Sequence, residues 1–273
     1  MNFKRQLIET DFAPIKPGTH SLLGDGKVPD NRDVFYKAKW HELYERYESA
    51  RMMLMQADTL DDCGWINNIK PEKDRNYMKL RQRTYFYESA LVFYNILIDL
   101  SWVISYIAME YVVYEIDDKG NKTSRNTNGH STIDEAYDLL RKLEKNVFNP
   151  NDEQNPLSYF KCMTPEFSNA IVLIESFWKV FSNSEIRRKY NYVKHRGKPA
   201  YDELTSLLKP PFKISIEING VEMPSSIFDV QETWNLTNCI KELEDFDNDI
   251  LFAYLSSLVN EINTIIKPSN VII

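Results

Sequence analysis

No glycine or proline occurs between Pro71 and Gly120, and apolar residues become dense from Tyr85 onward. Because these two residues interrupt helices more than any others, their absence predicts one continuous helix from about Lys73 to Tyr114. Such a helix is on the order of 60 Å long. Its second half is apolar on nearly every side, so other helices must surround it. The sequence therefore predicts an all-α fold, an antiparallel helical bundle built around this central helix.

The apolar half of the predicted helix also has the length of a membrane span. Asp99 lies at its middle and Glu110 near its end, so no run of about 18 uncharged apolar residues exists there. We therefore expect the core helix of a soluble protein, with no membrane contact. The N-terminus lacks the apolar stretch of a signal peptide, and the cysteines have no metal-ligand spacing, which favours a cytoplasmic protein with reduced thiols. These cysteines are Cys63, Cys162 and Cys239.

Glycine and proline divide the remainder of the chain. Residues 1–32 contain several of them without apolar periodicity, which predicts an irregular N-terminal arm. Residues 33–273 are predicted to form a single helical-bundle domain. Its further helices are expected at about 34–57, 132–148 and 164–181, in the basic segment from the Ser182 cap to Gly197, and at about 230–266, with a polar loop or small hairpin at 116–132. Ser182 and Glu185 have the spacing of a capping box, so a helix is expected to restart there.

Isoleucines alternate with polar residues ahead of an Asn-Gly pair. Ile214, Ile216 and Ile218 follow this alternation, and Asn219–Gly220 comes next. A period of two indicates a strand, and Asn-Gly is the strongest short-range hairpin signal. We therefore predict a small β-hairpin near 212–228, appended to the bundle.

The segment from Arg187 to Lys198 carries six lysines and arginines and no acid, in a chain whose net charge is −7. On a helical projection its side chains divide into two sets. One side carries Ile186, Tyr190 and Val193, and the other carries Arg188, Asn191, Tyr192 and His195. We expect the first set to pack into the bundle and the second to face outward.

The outward set has the residue types needed for acid–base chemistry on a phosphodiester. Arg188 and His195 are close to two helical turns apart, so both project from one face. A neutral imidazole can take a proton from a ribose hydroxyl, while a guanidinium neutralises the phosphorane. Lys194 and Arg196 flank the histidine and are predicted to bind neighbouring phosphates. The sequence therefore predicts an RNA site on this helix.

The same residues carry a family resemblance. The HEPN superfamily consists of helical-bundle domains marked by an arginine, four to six residues, and a histidine, which Arg188 and His195 match within IRRKYNYVKHRG. The resemblance implies a HEPN-like bundle that is either a metal-independent endoribonuclease or an RNA-binding protein, in a toxin or defence setting. It also implies Arg188 and His195 as the catalytic pair, Asn191 as a polar supporter, and a homodimer in which two motifs form one cleft.

Two registers of this motif are open. In the commonest version a polar residue such as asparagine directly follows the arginine, whereas here Lys189 follows Arg188. If Asn191 is matched to that polar residue instead, Tyr190 occupies the arginine position and the catalytic pair is broken.

Asp99 is a further candidate for the site. From a facing helix this carboxylate could orient His195 or pair with Arg188. The alternative is a structural ion pair or a solvent contact, since an unpaired buried carboxylate is costly.

The sequence predicts neither a metal site nor a cofactor. No histidine has a glutamate three residues before it, as a di-metal helical site requires, and no glycine-rich phosphate loop precedes a helix. The alternative to an RNase is a non-catalytic helical interaction module of unknown role, whose basic helix contacts an acidic partner or its own C-terminal helix. The net charge of −7 favours this alternative, since general nucleic-acid binders tend to be basic.

Overall fold

The computed structural model describes the greater part of the predicted helices. The described residues are Phe3 and residues 31–59, 64–110, 114–116, 122–124, 167–207, 216–218, 221–223 and 231–265. The predicted arm of residues 1–32 lies outside them except for Phe3 and residues 31–32. The predicted helix at 132–148 also lies outside the described residues.

Most of the described residues are helical, as predicted. The helices are α1 (Asn31–Thr59), α2 (Glu72–Glu110), α3 (Ser168–Phe181), α4 (Glu185–His195), α5 (Asp202–Leu207), α6 (Leu236–Phe246) and α7 (Phe252–Ile265). A 3-10 turn covers Ile66–Asn68, and a π segment covers Asp247–Leu251 between α6 and α7. The long helix expected from the absence of glycine and proline is α2, and the basic segment forms α4.

Short strands pair in three places within the described part of the chain. β1 (Tyr114–Ile116) and β2 (Lys122–Ser124) are antiparallel, which agrees with the small hairpin as the alternative for the start of the polar segment. β4 (Ile216–Ile218) and β5 (Val221–Met223) are also antiparallel and confirm the hairpin predicted near 212–228. β3 (Ala200–Tyr201) and β6 (Thr233–Trp234) form a parallel pair that the sequence did not predict.

The C-terminal helical region begins later than predicted and is not uniform. Residues 230–235 are not helical where they are described, because Asn235 is the N-cap of α6 and its side chain accepts a hydrogen bond from the Asn238 N–H at 2.9 Å. The π segment then separates α6 from α7. Instead of the single helix expected at 230–266, the chain forms the two-residue strand β6, the helix α6, a π segment and the helix α7.

The chain divides into two compact units. The first unit comprises Met1–Lys4, Glu48–Asn95 and Phe181–Asn248, and the second comprises Arg5–Tyr47, Ile96–Val180 and Asp249–Ile273. The described core of the first unit includes Leu54, Tyr87, Leu91, Phe181, Ile186, Tyr201, Trp234 and Leu243. That of the second includes Trp40, Leu43, Leu97, Trp102, Phe167, Ile174, Leu255 and Ile262. The prediction of one domain over 33–273 stays a prediction.

Aromatic contacts hold the described core of the second unit. Trp102 and Trp178 meet edge to face with centroids 5.2 Å apart, and Phe177 stacks on Tyr254 at 3.9 Å. The Tyr254 hydroxyl lies 3.1 Å from the Ser101 hydroxyl. Buried aromatic pairs of this kind add stability beyond the area they bury.

A buried ion pair joins helices within the first unit. Arg51 of α1 donates two hydrogen bonds to the Asp247 carboxylate, at 2.7 and 3.1 Å. The Tyr94 hydroxyl of α2 donates a third to the same carboxylate, at 2.8 Å. Arg51 is only 6% exposed and Asp247 is fully buried. A charge in this position is tolerated only because it is paired and hydrogen-bonded.

Among the described residues, one segment has the length and mean hydropathy of a membrane-spanning helix. It is Glu72–Ser105 of α2, with a mean hydropathy of 1.3 over its most apolar window. Within the protein, 67% of that window is already buried. Such burial is what the core helix of a bundle requires.

Candidate functional site

The basic helix α4 has defined start and stop signals. Ser184 is its N-cap and accepts a hydrogen bond from the Arg187 N–H at 3.2 Å. At the other end the N–H groups of Arg196 and Gly197 both donate to the Tyr192 carbonyl, and Gly197 has φ +105°. The predicted helix restart is confirmed. The capping residue is Ser184 and not Ser182, because the helix begins at Glu185.

The inner face of α4 packs against α6. Ile186 and Tyr190 are buried, as their helical positions predicted, whereas Val193 is only partly buried. Lys189 is buried as well and forms an ion pair with Glu242 of α6. Burial opposes the charge on this lysine, but the hydrogen bond and charge of Glu242 together with the neighbouring Cys239 outweigh it, so the Lys189 pKa is raised. A lysine of the basic segment thus stabilises the docking of the helix on its acidic neighbour.

The outer face of α4 forms one wall of an open pocket of about 490 Å³. The residues that line this pocket are Arg188, Asn191, Tyr192, His195, Arg196 and Glu232. Arg188, Asn191, His195 and Arg196 are residues that the sequence had already nominated. The structure therefore brings the predicted catalytic pair and two of its predicted supporters to one cavity within the first unit.

Two other predicted site residues do not line the pocket. Lys194 is exposed, and its ammonium lies 5.7 Å from the centre of the Tyr190 ring. Asp99 is half-buried and belongs to the second unit. The carboxylate that lines the pocket is Glu232, and a role for Asp99 stays a prediction.

Arg188 is held by two carboxylates. Its Nε lies 2.8 Å from Glu185 one turn earlier on α4, and its Nη1 pairs with Glu232. Burial disfavours the charged guanidinium, but hydrogen bonds to both glutamates outweigh this effect and raise the Arg188 pKa. The side chain is still 46% exposed. Arg188 is therefore charged and faces the pocket, with part of its charge already balanced.

Main-chain contacts fix the position of Glu232. Its carbonyl accepts a hydrogen bond from the Ala200 N–H at 2.9 Å, which begins the β3–β6 pairing. Its own N–H donates to the Tyr192 hydroxyl at 2.9 Å, and the Tyr192 ring packs on Trp234 with centroids 5.4 Å apart. Sequence reasoning missed Glu232 by assigning it to a helix. The N-cap signal at Asn235 could have placed it in an extended segment.

His195 lies in the last turn of α4 and is exposed. Within the described part of the chain, the side chains of His195 and Asn191 make no hydrogen bond or ion pair with protein groups. His195 is separated from Arg188 by about 10 Å along the helix axis. A phosphodiester between the two side chains is therefore within reach of both, with a free imidazole at one end.

The two registers of the motif place different residues at the pocket. Tyr190 is buried on the inner face of α4, and the Arg187 guanidinium lies 5.3 Å from the centre of its ring. It does not line the pocket. Of the two residues that could occupy the arginine position of the motif, Arg188 lines the cavity together with His195, and Tyr190 does not.

In comparisons with known proteins, no family model matches the chain, and no curated protein and no solved structure matches it significantly. Among the described residues, no group of three or more His, Cys, Asp and Glu side chains is arranged to hold a metal ion. The HEPN resemblance therefore rests on the residues of α4 alone.

Proposed function

We propose that this chain is a HEPN-like endoribonuclease whose active site is the pocket on α4. The observation that supports the proposal is the shared cavity of Arg188 and His195, with Asn191 between them and Arg196 at the rim. These side chains supply an acid–base group, a fixed positive charge and hydrogen-bond donors to one concave surface. Together they suit the cleavage of a phosphodiester bond.

The proposed reaction uses the ribose of the substrate as nucleophile. Neutral His195 takes the proton of the 2′-hydroxyl, and the 2′-oxygen attacks phosphorus. Arg188 stabilises the charge that develops on the phosphorane oxygens. The bond to the 5′-oxygen then breaks, that oxygen takes a proton from water, and protonated His195 returns its proton to the resulting hydroxide. The products are a 2′,3′-cyclic phosphate and a 5′-hydroxyl end.

For the substrate to bind, its phosphate must replace Glu185 or Glu232 at some of the N–H groups of Arg188. Both of their ion pairs with the guanidinium are substantially solvent-exposed, and such pairs contribute only about 0–1 kcal/mol each. A phosphate, which binds arginine through charged hydrogen bonds, can replace either of them. In the absence of RNA the two glutamates keep the guanidinium pointed into the pocket.

The oligomeric state belongs to the same proposal. A homodimer that joins two copies of the pocket would place a second His195 near the leaving 5′-oxygen, as the HEPN resemblance implies. The biological setting that the resemblance suggests is a toxin or defence system.

The test is cleavage of single-stranded RNA by the purified chain in the presence of EDTA. Wild-type protein should cleave, His195→Ala should lose at least about 100-fold of the rate, and Arg188→Gln should lose a similar factor. His41→Ala is the matched control, because His41 is an exposed helical histidine outside the pocket. Thermal unfolding of His195→Ala should match wild type, since the side chain is exposed. Absence of wild-type cleavage, or full activity of His195→Ala, would overturn the proposal.

A non-catalytic interaction module is the second candidate. The observation that favours it is the use of basic residues within the molecule, since Arg188 pairs with Glu185 and Glu232, and Lys189 pairs with Glu242. If this candidate is correct, the chain will bind no RNA and will cleave none. Charge removal at Lys194 and Arg196 will then leave RNA measurements unchanged while weakening capture of an acidic protein partner.

A further inference from the structure

An exposed tyrosine with two cations against its ring lies on α2 in the first unit. Tyr85 is 45% exposed even though two basic side chains contact it. The Lys198 ammonium is 3.8 Å from its ring centre, and the Arg81 guanidinium carbon is 5.7 Å away. The Arg81 Nε also donates to the Tyr85 hydroxyl at 3.1 Å. We call Arg81, Tyr85 and Lys198 the tyrosine strip.

We infer that the tyrosine strip is a second nucleotide-binding site that holds single-stranded RNA beside the pocket. Tyr85 would stack a base, while Arg81 and Lys198 would bind the phosphates on either side of it. The inference rests on the proposed function, because it names how the same substrate is held outside the cleaved bond.

The spacing of the residues supports a continuous RNA path. Arg196 lines the pocket and Lys198 belongs to the strip, with only Gly197 between them. Two residues of extended chain span at most about 7 Å, so the pocket and the strip adjoin. The exposed side chains of Arg196 and Lys198 thus form a positive connection between His195 and Tyr85.

The chemistry of the strip fits single-stranded RNA better than an acidic protein. An acidic peptide needs the two cations but makes no use of a half-exposed aromatic ring. Every base has a flat face that can stack on tyrosine, and basic side chains beside the ring bind the backbone. Hydrogen bonding from Arg81 and the charge of Lys198 lower the Tyr85 pKa, which indicates positive potential at the ring. Glu88 forms an ion pair with Lys198 at 3.7 Å, and its side chain is only 17% exposed.

The test measures binding of a short fluorescent single-stranded RNA to the full chain carrying His195→Ala, so that cleavage does not interfere. Tyr85→Ala in this background should weaken binding about 5- to 100-fold, the range for loss of one stacked base. Tyr85→Phe keeps the ring and should bind as its parent does. Trp65→Ala is the matched control, because Trp65 is an exposed aromatic residue of the first unit that is not part of the strip.

Salt dependence tests the two cations. Arg81→Gln and Lys198→Gln should each lower the slope of log affinity against log salt by about 0.7, the value for one phosphate contact on a single strand. Lys241→Gln removes an exposed cation on α6 and should leave the slope unchanged. Duplex RNA, whose bases are already stacked, should bind without dependence on Tyr85.

The outcomes separate this inference from the proposed function. If Tyr85→Ala weakens RNA binding but wild-type protein cleaves no RNA, the tyrosine strip is supported as an RNA-binding site and the proposed nuclease activity is wrong. If wild-type protein cleaves through His195 while Tyr85→Ala binds RNA normally, the strip fails and the nuclease stands. Binding of poly-glutamate with no effect of Tyr85→Ala on RNA assigns the strip to an acidic protein and overturns the inference.

Discussion

The buried pair of Arg51 and Asp247 allows a quantitative test of how the first unit is held together. Asp247→Asn keeps the size of the side chain but removes its charge, so the buried Arg51 guanidinium loses this ion pair. Removing one partner of a buried pair costs about 3–5 kcal/mol. The Tyr94 hydroxyl loses part of its hydrogen-bond energy at the same time, since it donates to the same carboxylate. The expected loss of unfolding free energy is therefore at least about 3 kcal/mol.

Urea denaturation followed by far-UV circular dichroism measures this loss. Asp245→Asn is the matched control, because Asp245 pairs with Lys241 on the exposed side of α6. Its cost should stay below about 0.5 kcal/mol. Replacing both partners, as Arg51→Met with Asp247→Leu, should recover much of the loss, since neither member of the pair then remains as a buried charge, although the Tyr94 hydroxyl still loses this acceptor. A cost for Asp247→Asn no larger than that for Asp245→Asn would show that the buried pair does not stabilise the first unit.

Three further predictions concern the pocket and its surroundings. Glu232→Gln removes a carboxylate that competes with phosphate for Arg188, so it should tighten RNA binding by up to about fivefold in fluorescence anisotropy; weaker binding would contradict this. Burial raises the pKa of Glu88 above 4.5, so the folded protein binds that proton more tightly than the unfolded chain does. The stability that this tighter proton binding contributes is present at acid pH and is lost as the pH rises through the folded-state pKa. In urea titrations, the unfolding free energy of wild type should therefore fall relative to that of Glu88→Gln over this pH range. Gly197→Ala should cost about 1–2 kcal/mol of unfolding free energy, because φ at this residue is +105°, which a side chain with a Cβ rarely adopts. A Cβ would meet no atom within 4 Å at Gly197 or at Gly64, so Gly64→Ala, which lacks the positive φ, should cost almost nothing.

The sequence predicts those parts of the fold whose signals are local. The helix α2 follows from the absence of glycine and proline, and the β4–β5 hairpin follows from alternation before Asn219–Gly220. The outward display of Arg188, Asn191 and His195 follows from helical geometry once α4 is recognised. In each case, residues within a few positions of one another determine the structure.

The parts that could not be predicted depend on contacts between distant residues. The β3–β6 pairing contains only two residues per strand, too few to show a period, and it joins Ala200 to Thr233. Glu232 is held at the pocket by this pairing and by its hydrogen bond to Tyr192, 40 residues earlier in the chain. Lys189 is buried because Glu242 on another helix neutralises it, whereas lysines in a basic segment are usually exposed. The residues of α4 that line the pocket can thus be predicted from the sequence, whereas Glu232 is placed there by contacts between distant parts of the chain.

In the proposed mechanism, His195 removes a proton from a ribose 2′-hydroxyl in the pocket on α4. The most direct measurement compares an RNA oligonucleotide with the same oligonucleotide carrying 2′-O-methyl groups, with end-group analysis of the products. We expect EDTA-insensitive cleavage of the first substrate to 2′,3′-cyclic phosphate and 5′-hydroxyl ends and no cleavage of the second. The His195→Ala variant should form neither kind of end. Cleavage of the 2′-O-methyl substrate, or products bearing 5′-phosphate, would contradict it.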